Sequence, residues 1–296
     1  MKYPNISQEQ KVSNFLITRF NLKMWSKDKN NKSTQSEEWL EDRFKLFKKY
    51  TCPTVFNQSD TDFIWIVAFA EDTPQKWKEE VENIRQLYTT CNNPIMIPLY
   101  LNDAEMEEPF VHIKKVISEM HDDSKNLITF RCDNDDSLDY DFLKEVKQIS
   151  SRQVEKEKAH TFKYGIQFYD KLKFGIKIPY WNNHFSFLIN KDYNANENFN
   201  IILEFNHYYP KTFPFPFESI NYKRPMWIEA IHDKNVDNDV KMLWGQVPLF
   251  HPNQLSNFKT ELSINPLHSI WVFTTFFIPR FLLIATKKLI NKIIKK

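Results

Sequence analysis

The chain has 296 residues, 42% of them apolar and 16% aromatic, with a formal net charge of +2; it can bury a large core, and its charge exerts no general pull on nucleic acid. Three glycines against fifteen prolines exclude a glycine-rich phosphate loop of either the dinucleotide or the Walker type. Cys52, Cys91 and Cys132 lack metal-type spacing and no apolar signal segment follows Met1, so a cytosolic, reduced chain without structural zinc is expected.

Ser13 to Thr18 (SNFLIT) reads as a first strand, followed by the polar turn Arg19, Phe20, Asn21. Glu37 to Tyr50 sets Trp39 or Leu40, Arg43, Phe44 and Phe47 at helical spacing, and Pro53 is expected to end that helix. Thr61 to Phe69 (TDFIWIVAF) is a second buried strand; Trp77, Val81, Ile84 and Tyr88 then share a helical face. Ile95 to Leu99 is apolar again, Phe110, Ile113, Val116 or Ile117 and Met120 mark a helix, and Leu127 to Phe130 is the next strand. Leu138, Phe142, Val146 and Ile149 predict a further helix. Strand and helix alternate, which predicts the α/β class: a mostly parallel, Rossmann-like sheet with flanking helices.

From Lys156 the pattern changes. TFKYGIQFY and KLKFGIKIPYW read as hairpin strands around Asp170 and Lys171, and Phe185 to Ile189 and Ile201 to Phe205 read as extended. Phe213, Phe215 and Phe217, interleaved with prolines, read as packing residues. Ile270 to Ala285 is apolar apart from threonines, Pro279 and Arg280, and leads into TKKLINKIIKK. An arginine near its middle argues against a span, so an amphipathic helix on a membrane surface or docked on the protein is expected.

The stretch ITFRCDNDDSLDYDFL raises the chemical question. Asp133, Asp135 and Asp136 crowd the carboxyl end of a strand, where open α/β sheets bind their ligands. Clustered carboxylates repel unless a cation or a positive helix end relieves them. A solvated helix entry accounts for Asp136, Asp139 and Asp141; Asp133 and Asp135 precede the helix, and for them a metal site stands beside the helix cap as an open alternative. A calcium hand is excluded, because Leu138 stands where its glycine belongs and Lys144 where its glutamate belongs. Oxygen ligands suit Mg²⁺ or Mn²⁺, with a diphosphate as natural co-ligand.

FLITRFNL, EEWLEDRFKLFKKYTCPTVFNQSDTDFIWIVAFAEDTP, TFRCDNDDSLDYDFL and RPMWIEAIHDKN stand in the order and approximate spacing of a family of rhamnosyltransferases, which the chain resembles over roughly residues 13 to 250. These are sugar-nucleotide glycosyltransferases expected to have the GT-A fold. The resemblance implies a nucleoside-diphosphate sugar donor, possession of Mn²⁺ or Mg²⁺, and a glycan or lipid-linked acceptor in surface polysaccharide synthesis at the cytoplasmic face of a membrane. It assigns the metal to Asp133, Asp135 and His232. Donor contacts fall to Thr18, Arg19, Asp72, Arg131, Asp133 and Asp136, with Arg131 pairing either with the diphosphate or with the carboxylates. An inverting reaction also needs a base. FSFLINKDYN has Asn190 where the family glutamate is expected, so Asp192 and Asp233 are the candidates, ahead of Glu204 and Glu218. The implied organisation is a nucleotide-sugar-binding half over 1–155, an acceptor-side half over 156–265, and a C-terminal membrane-surface or docking helix over 266–296. Two other readings stay open: a sugar- or partner-binding protein that keeps the fold without catalysis, and a metal-dependent phosphohydrolase or nucleotidyltransferase.

Overall fold

The computed structural model describes residues 11–23, 33–88, 94–122, 125–191, 193, 198–232 and 246–294. In chain order it runs β1 (Asn14–Arg19), α1 (Glu37–Leu46), a π-helical turn (Phe47–Thr51) continuing into α2 (Cys52–Phe56), β2 (Ile64–Ala70), α3 (Gln75–Leu87), β3 (Ile95–Leu101), α4 (Pro109–Met120) and β4 (Leu127–Arg131). Then follow β5 (Ser137–Leu138), α5 (Phe142–Arg152), β6 (Glu157–Phe162), β7 (Tyr164–Tyr169), β8 (Phe174–Pro179), β9 (Ser186–Asn190), β10 (Phe217–Ile220), β11 (Trp227–Ile231) and β12 (Val247–Pro248). A C-terminal helix runs from α6 (Pro266–Val272) through a π turn (Phe273–Phe277) into α7 (Ile278–Ile294).

The result is a mixed α/β architecture with two sheets. The larger has the order β10-β6-β9-β4-β1-β2-β3. The expected parallel core is there: β3, β2, β1 and β4 run parallel, and the chain reverses direction across the sheet between β1 and β4. β9 enters antiparallel between β4 and β6. The smaller sheet, β12-β8-β7-β11-β5, contains the expected hairpin of β7 and β8.

The pleat explains why β2 carries no polar residue. Ile64, Ile66 and Ala68 face one cluster, with Ile113, Val116 and Ile117 of α4, while Trp65, Val67 and Phe69 face the other, with Phe44, Phe47 and Val81. Each large side chain so buried contributes about 1.5–3 kcal/mol.

Three local expectations are corrected. Pro53 does not end its helix: the chain widens into the π turn and continues to Phe56, the widened turn accommodating the proline at the start of α2. Leu138 belongs to a two-residue strand paired with Trp227, and the helix begins only at Phe142. Ile201 to Phe205 is a short 3₁₀ turn at Ile202–Glu204, because Glu204 reaches back to the Ile201 N–H and closes the chain on itself. Phe213 and Phe215 do pack with Phe205, the first tilted and the second edge to face.

Gly165 in β7 is required by a ring. A Cβ there would meet Trp227 at 2.0 Å. Trp227 is stacked on Phe185 at 4.8 Å and donates its indole N–H to Phe162 O, so it has nowhere to go. Gly165→Ala is expected to cost about 3 kcal/mol, read as a lowered urea midpoint at unchanged slope.

Candidate functional site

The acidic turn, Cys132 to Asp136, leaves β4 at the carboxyl edge of the parallel strands, beside the end of β1. This is the reversal point of the sheet, where the two neighbouring connections diverge and leave a crevice. The turn is held from beneath by hydroxyls. Thr18 donates to Cys132 O at 2.8 Å and accepts from the Trp65 indole at 2.9 Å. Thr51, in the π turn, donates to Asp133 O at 3.3 Å, and Ser137 donates to Tyr50 O at 2.9 Å. The irregular helix that Pro53 was expected to end is therefore what clamps the turn at both ends. Asn134 donates to Phe20 O and completes the frame.

Within this frame the three carboxylates have different environments. The Asp133 side chain, 36% exposed, is the one that reaches solvent, and Arg131 Nη2 donates to both its oxygens at 3.0 and 3.2 Å. Burial works against its charge, but Arg131, His184 and Arg19 outweigh burial and hold the carboxyl well below the usual carboxylate range. Asp135 is buried; its Oδ2 accepts from Arg43 Nη1 at 2.6 Å and lies 2.9 Å from His232 Nε2. Burial again opposes the charge, and Arg43 and His232 overcome it, lowering the carboxyl. Asp136 is fully buried, accepts the Ala230 N–H at 3.1 Å, and lies 2.6 Å from His184 Nε2. There burial wins and pushes the carboxyl up to about 7, against the pull of His184. His184 itself is raised, Asp136 prevailing over burial.

The arginines at the strand ends complete the site. Arg19 closes β1; burial and the neighbouring Arg131 lower it to about 10, which leaves it charged at neutral pH. Arg131 closes β4 and is itself buried. Two guanidinium groups thus flank one solvent-reaching carboxylate at the mouth of the crevice, a charge arrangement suited to an anion and a cation bound together.

Among the described residues, Asp133, Asp136 and His184 each bring a ligand atom within 4.8 Å of the others. Two carboxylate oxygens suit Mn²⁺ or Mg²⁺, and of the two Mn²⁺ takes an imidazole nitrogen more readily, so the donor set fits the implied metal as Mn²⁺. The structure therefore gathers Asp133 with Asp136 and His184, while Asp135 pairs with both Arg43 and His232. Thr18 is wholly buried as a support of the turn. Asp72 lies in the loop after β2, 62% exposed and paired with Lys23 at 2.7 Å. Asp192 and Asp233 lie outside the described residues. Glu218 is exposed on β10 and pairs with Lys158, and Glu204 caps its own turn.

Two site residues were absent from the sequence reading in this role. His184 stands just ahead of β9, and the antiparallel entry of that strand brings its start to the carboxyl end of β4. Arg43 was counted with the apolar stripe of its helix; an arginine on a buried helical face is the signal that a partner waits there. Arg224, in the RPMW stretch, donates to Asp139 and Asp141 at 2.8 Å each and so replaces the helix dipole as the reason for those two aspartates.

A family model described as putative rhamnosyl transferase matches residues 14–243. No curated protein matches the chain.

Proposed function

The chain belongs to the putative rhamnosyl transferase family and is a glycosyltransferase, and from that premise we propose that it is a GT-A-type enzyme that moves a sugar, rhamnose in the first instance, from a nucleoside diphosphate to a glycan or lipid-linked acceptor. The observation that carries the reading is the convergence of Arg19, Arg131 and Asp133 at the reversal point of the sheet, over the buried Asp136–His184 pair. Arg19 and Arg131 would bind the diphosphate oxygens, and Asp133, Asp136 and His184 would hold a divalent cation. Such a cation, when bound, offsets the negative charge that develops on the leaving diphosphate. Arg43 and His232 fix Asp135, and the hydroxyls of Thr18 and Thr51 fix the backbone, so the crevice is organised before the donor arrives. For the base that takes the acceptor's proton we propose Asp233, which follows His232 directly in sequence. Asp192 follows Asn190, which pairs with Leu127 at the amino end of β4, the edge away from the acidic turn.

A thermal-shift panel of nucleoside diphosphates and nucleotide sugars, with and without Mn²⁺, tests this on the wild type and on Asp133→Asn. A ligand at a hundred times its dissociation constant adds about 2.7 kcal/mol to the folded state. Mn²⁺-dependent stabilisation by one nucleotide class, lost in Asp133→Asn, is the expected result. A folded wild type that no nucleotide stabilises under either condition removes the donor site, and release of inorganic phosphate in place of a nucleoside diphosphate would make the protein a phosphohydrolase.

A further inference from the structure

The C-terminal helix has one packed side and one that none of the described residues covers. Asn265 starts it by accepting the N–H groups of Leu267 and His268. Ser269, Val272 and Phe277 are buried, and Phe277 meets Tyr169 and Phe174 of the smaller sheet at 5.9 and 5.2 Å. The rest is unusual for a helix in water. Leu267, Ile270, Trp271 and Phe276 are exposed, followed by Ile278, Leu282, Leu283 and Ile290, several of them more than half exposed. Leaving this much contiguous apolar surface in water is unfavourable, and such patches mark interaction sites.

Two further observations identify the occupant. The three threonines of the helix each donate to a carbonyl one turn back: Thr274 to Ile270 O, Thr275 to Trp271 O and Thr286 to Leu282 O. Hydroxyls satisfied within the helix can enter an apolar medium without leaving an unpaired donor. The sequence then carries five lysines after Ala285, with no acidic residue among them, a charge complementary to an anionic surface.

We infer that the outer side of this helix lies in the plane of an anionic lipid surface, with Leu267, Ile270, Trp271, Ile278, Leu282 and Leu283 in the acyl boundary and the basic sequence after Ala285 supplying the attraction to the lipid charge. Pro266–Thr286 is long and apolar enough to cross a membrane by length and composition. Spanning would strip Val272 and Phe277 from the sheet and carry Arg280 into the hydrocarbon, whereas in the interfacial plane Arg280 snorkels beside the Phe276 ring.

The test is co-sedimentation of the full chain with vesicles, a readout independent of transfer activity. The wild type is expected to sediment with vesicles containing phosphatidylglycerol and to bind phosphatidylcholine vesicles about tenfold less, the difference closing in high salt. Leu282→Glu/Leu283→Glu, which alters exposed positions only, is expected to stay in the supernatant with an unchanged melting temperature. A folded wild type that stays in the supernatant with anionic vesicles overturns the inference. So does a lipid-free dimer that this double variant dissociates, which would make the occupant a second copy, and so does resistance to alkaline carbonate extraction from membranes, which would make the helix a span.

Discussion

Asp136→Asn is expected to lower sugar transfer by about 10²- to 10³-fold while leaving the fold in place. The substitution retains the shape of the side chain. Its Oδ1 still accepts the Ala230 N–H, and its Nδ2 donates a hydrogen bond to His184 Nε2, an acceptor in one of the neutral tautomers. Stability is spared because burial already disfavours the Asp136 charge, holding the carboxyl near 7, so a neutral isostere gives up little that the folded state was using. What disappears is a carboxylate that a bound cation would hold ionised, beside Asp133 and His184, the group suited to hold a cation. The measurement is kcat at saturating donor together with the melting temperature. Full activity in a folded Asp136→Asn would make the Asp136–His184 pair a structural contact and move the chemistry to Asp133 and Asp135.

The sequence reading reached the parallel core and the acidic turn because both are local signals. β2 is an unbroken apolar run, and three aspartates within four positions after β4 stand out without knowledge of any partner. Most of the parts it missed depend on chain segments far apart. Nothing within HFSFLIN announces that β9 enters antiparallel, yet that pairing alone decides that His184, and not Asn190, faces the turn. The two-residue β5 exists only because β11 is there to pair with it. The helix that runs through Pro53 defeats a sound local rule, since a widened turn absorbs the proline and turns the segment into the clamp on Asp133 and Ser137. The assignment of the metal to Asp133, Asp135 and His232 placed two true neighbours together, Asp135 and His232, but Arg43 holds the same Asp135 oxygen. That partner lies 92 residues away in sequence.

Arg43→Met is the sharpest test of that partner, and it is expected to destabilise the protein by about 3–5 kcal/mol. Both side chains are shielded from water, 6% and 7% exposed, and the pair is 2.6 Å apart. Arg43 also donates to Asn134 Oδ1 at 3.0 Å and lies over the Trp39 ring at 4.9 Å, so its stem packs as well as its charge. Methionine preserves most of that packing and removes the charge, which leaves Asp135 buried beside Asp133 and Asp136 with the His232 ring as its remaining partner. The loss is therefore set by an uncompensated carboxylate and not by a cavity. That cause makes a second prediction possible: adding Asp135→Asn to Arg43→Met is expected to restore about 1–3 kcal/mol, because the amide does not need the missing guanidinium. In a chain of this size each kcal/mol moves the melting temperature by about 2 °C, so the single variant falls by roughly 6–10 °C and the double variant recovers part of that. If Arg43→Met melts within 2 °C of the wild type, Arg43 contributes little to holding Asp135, and the rigidity of the turn rests on its hydroxyl clamps, Asn134 and His232.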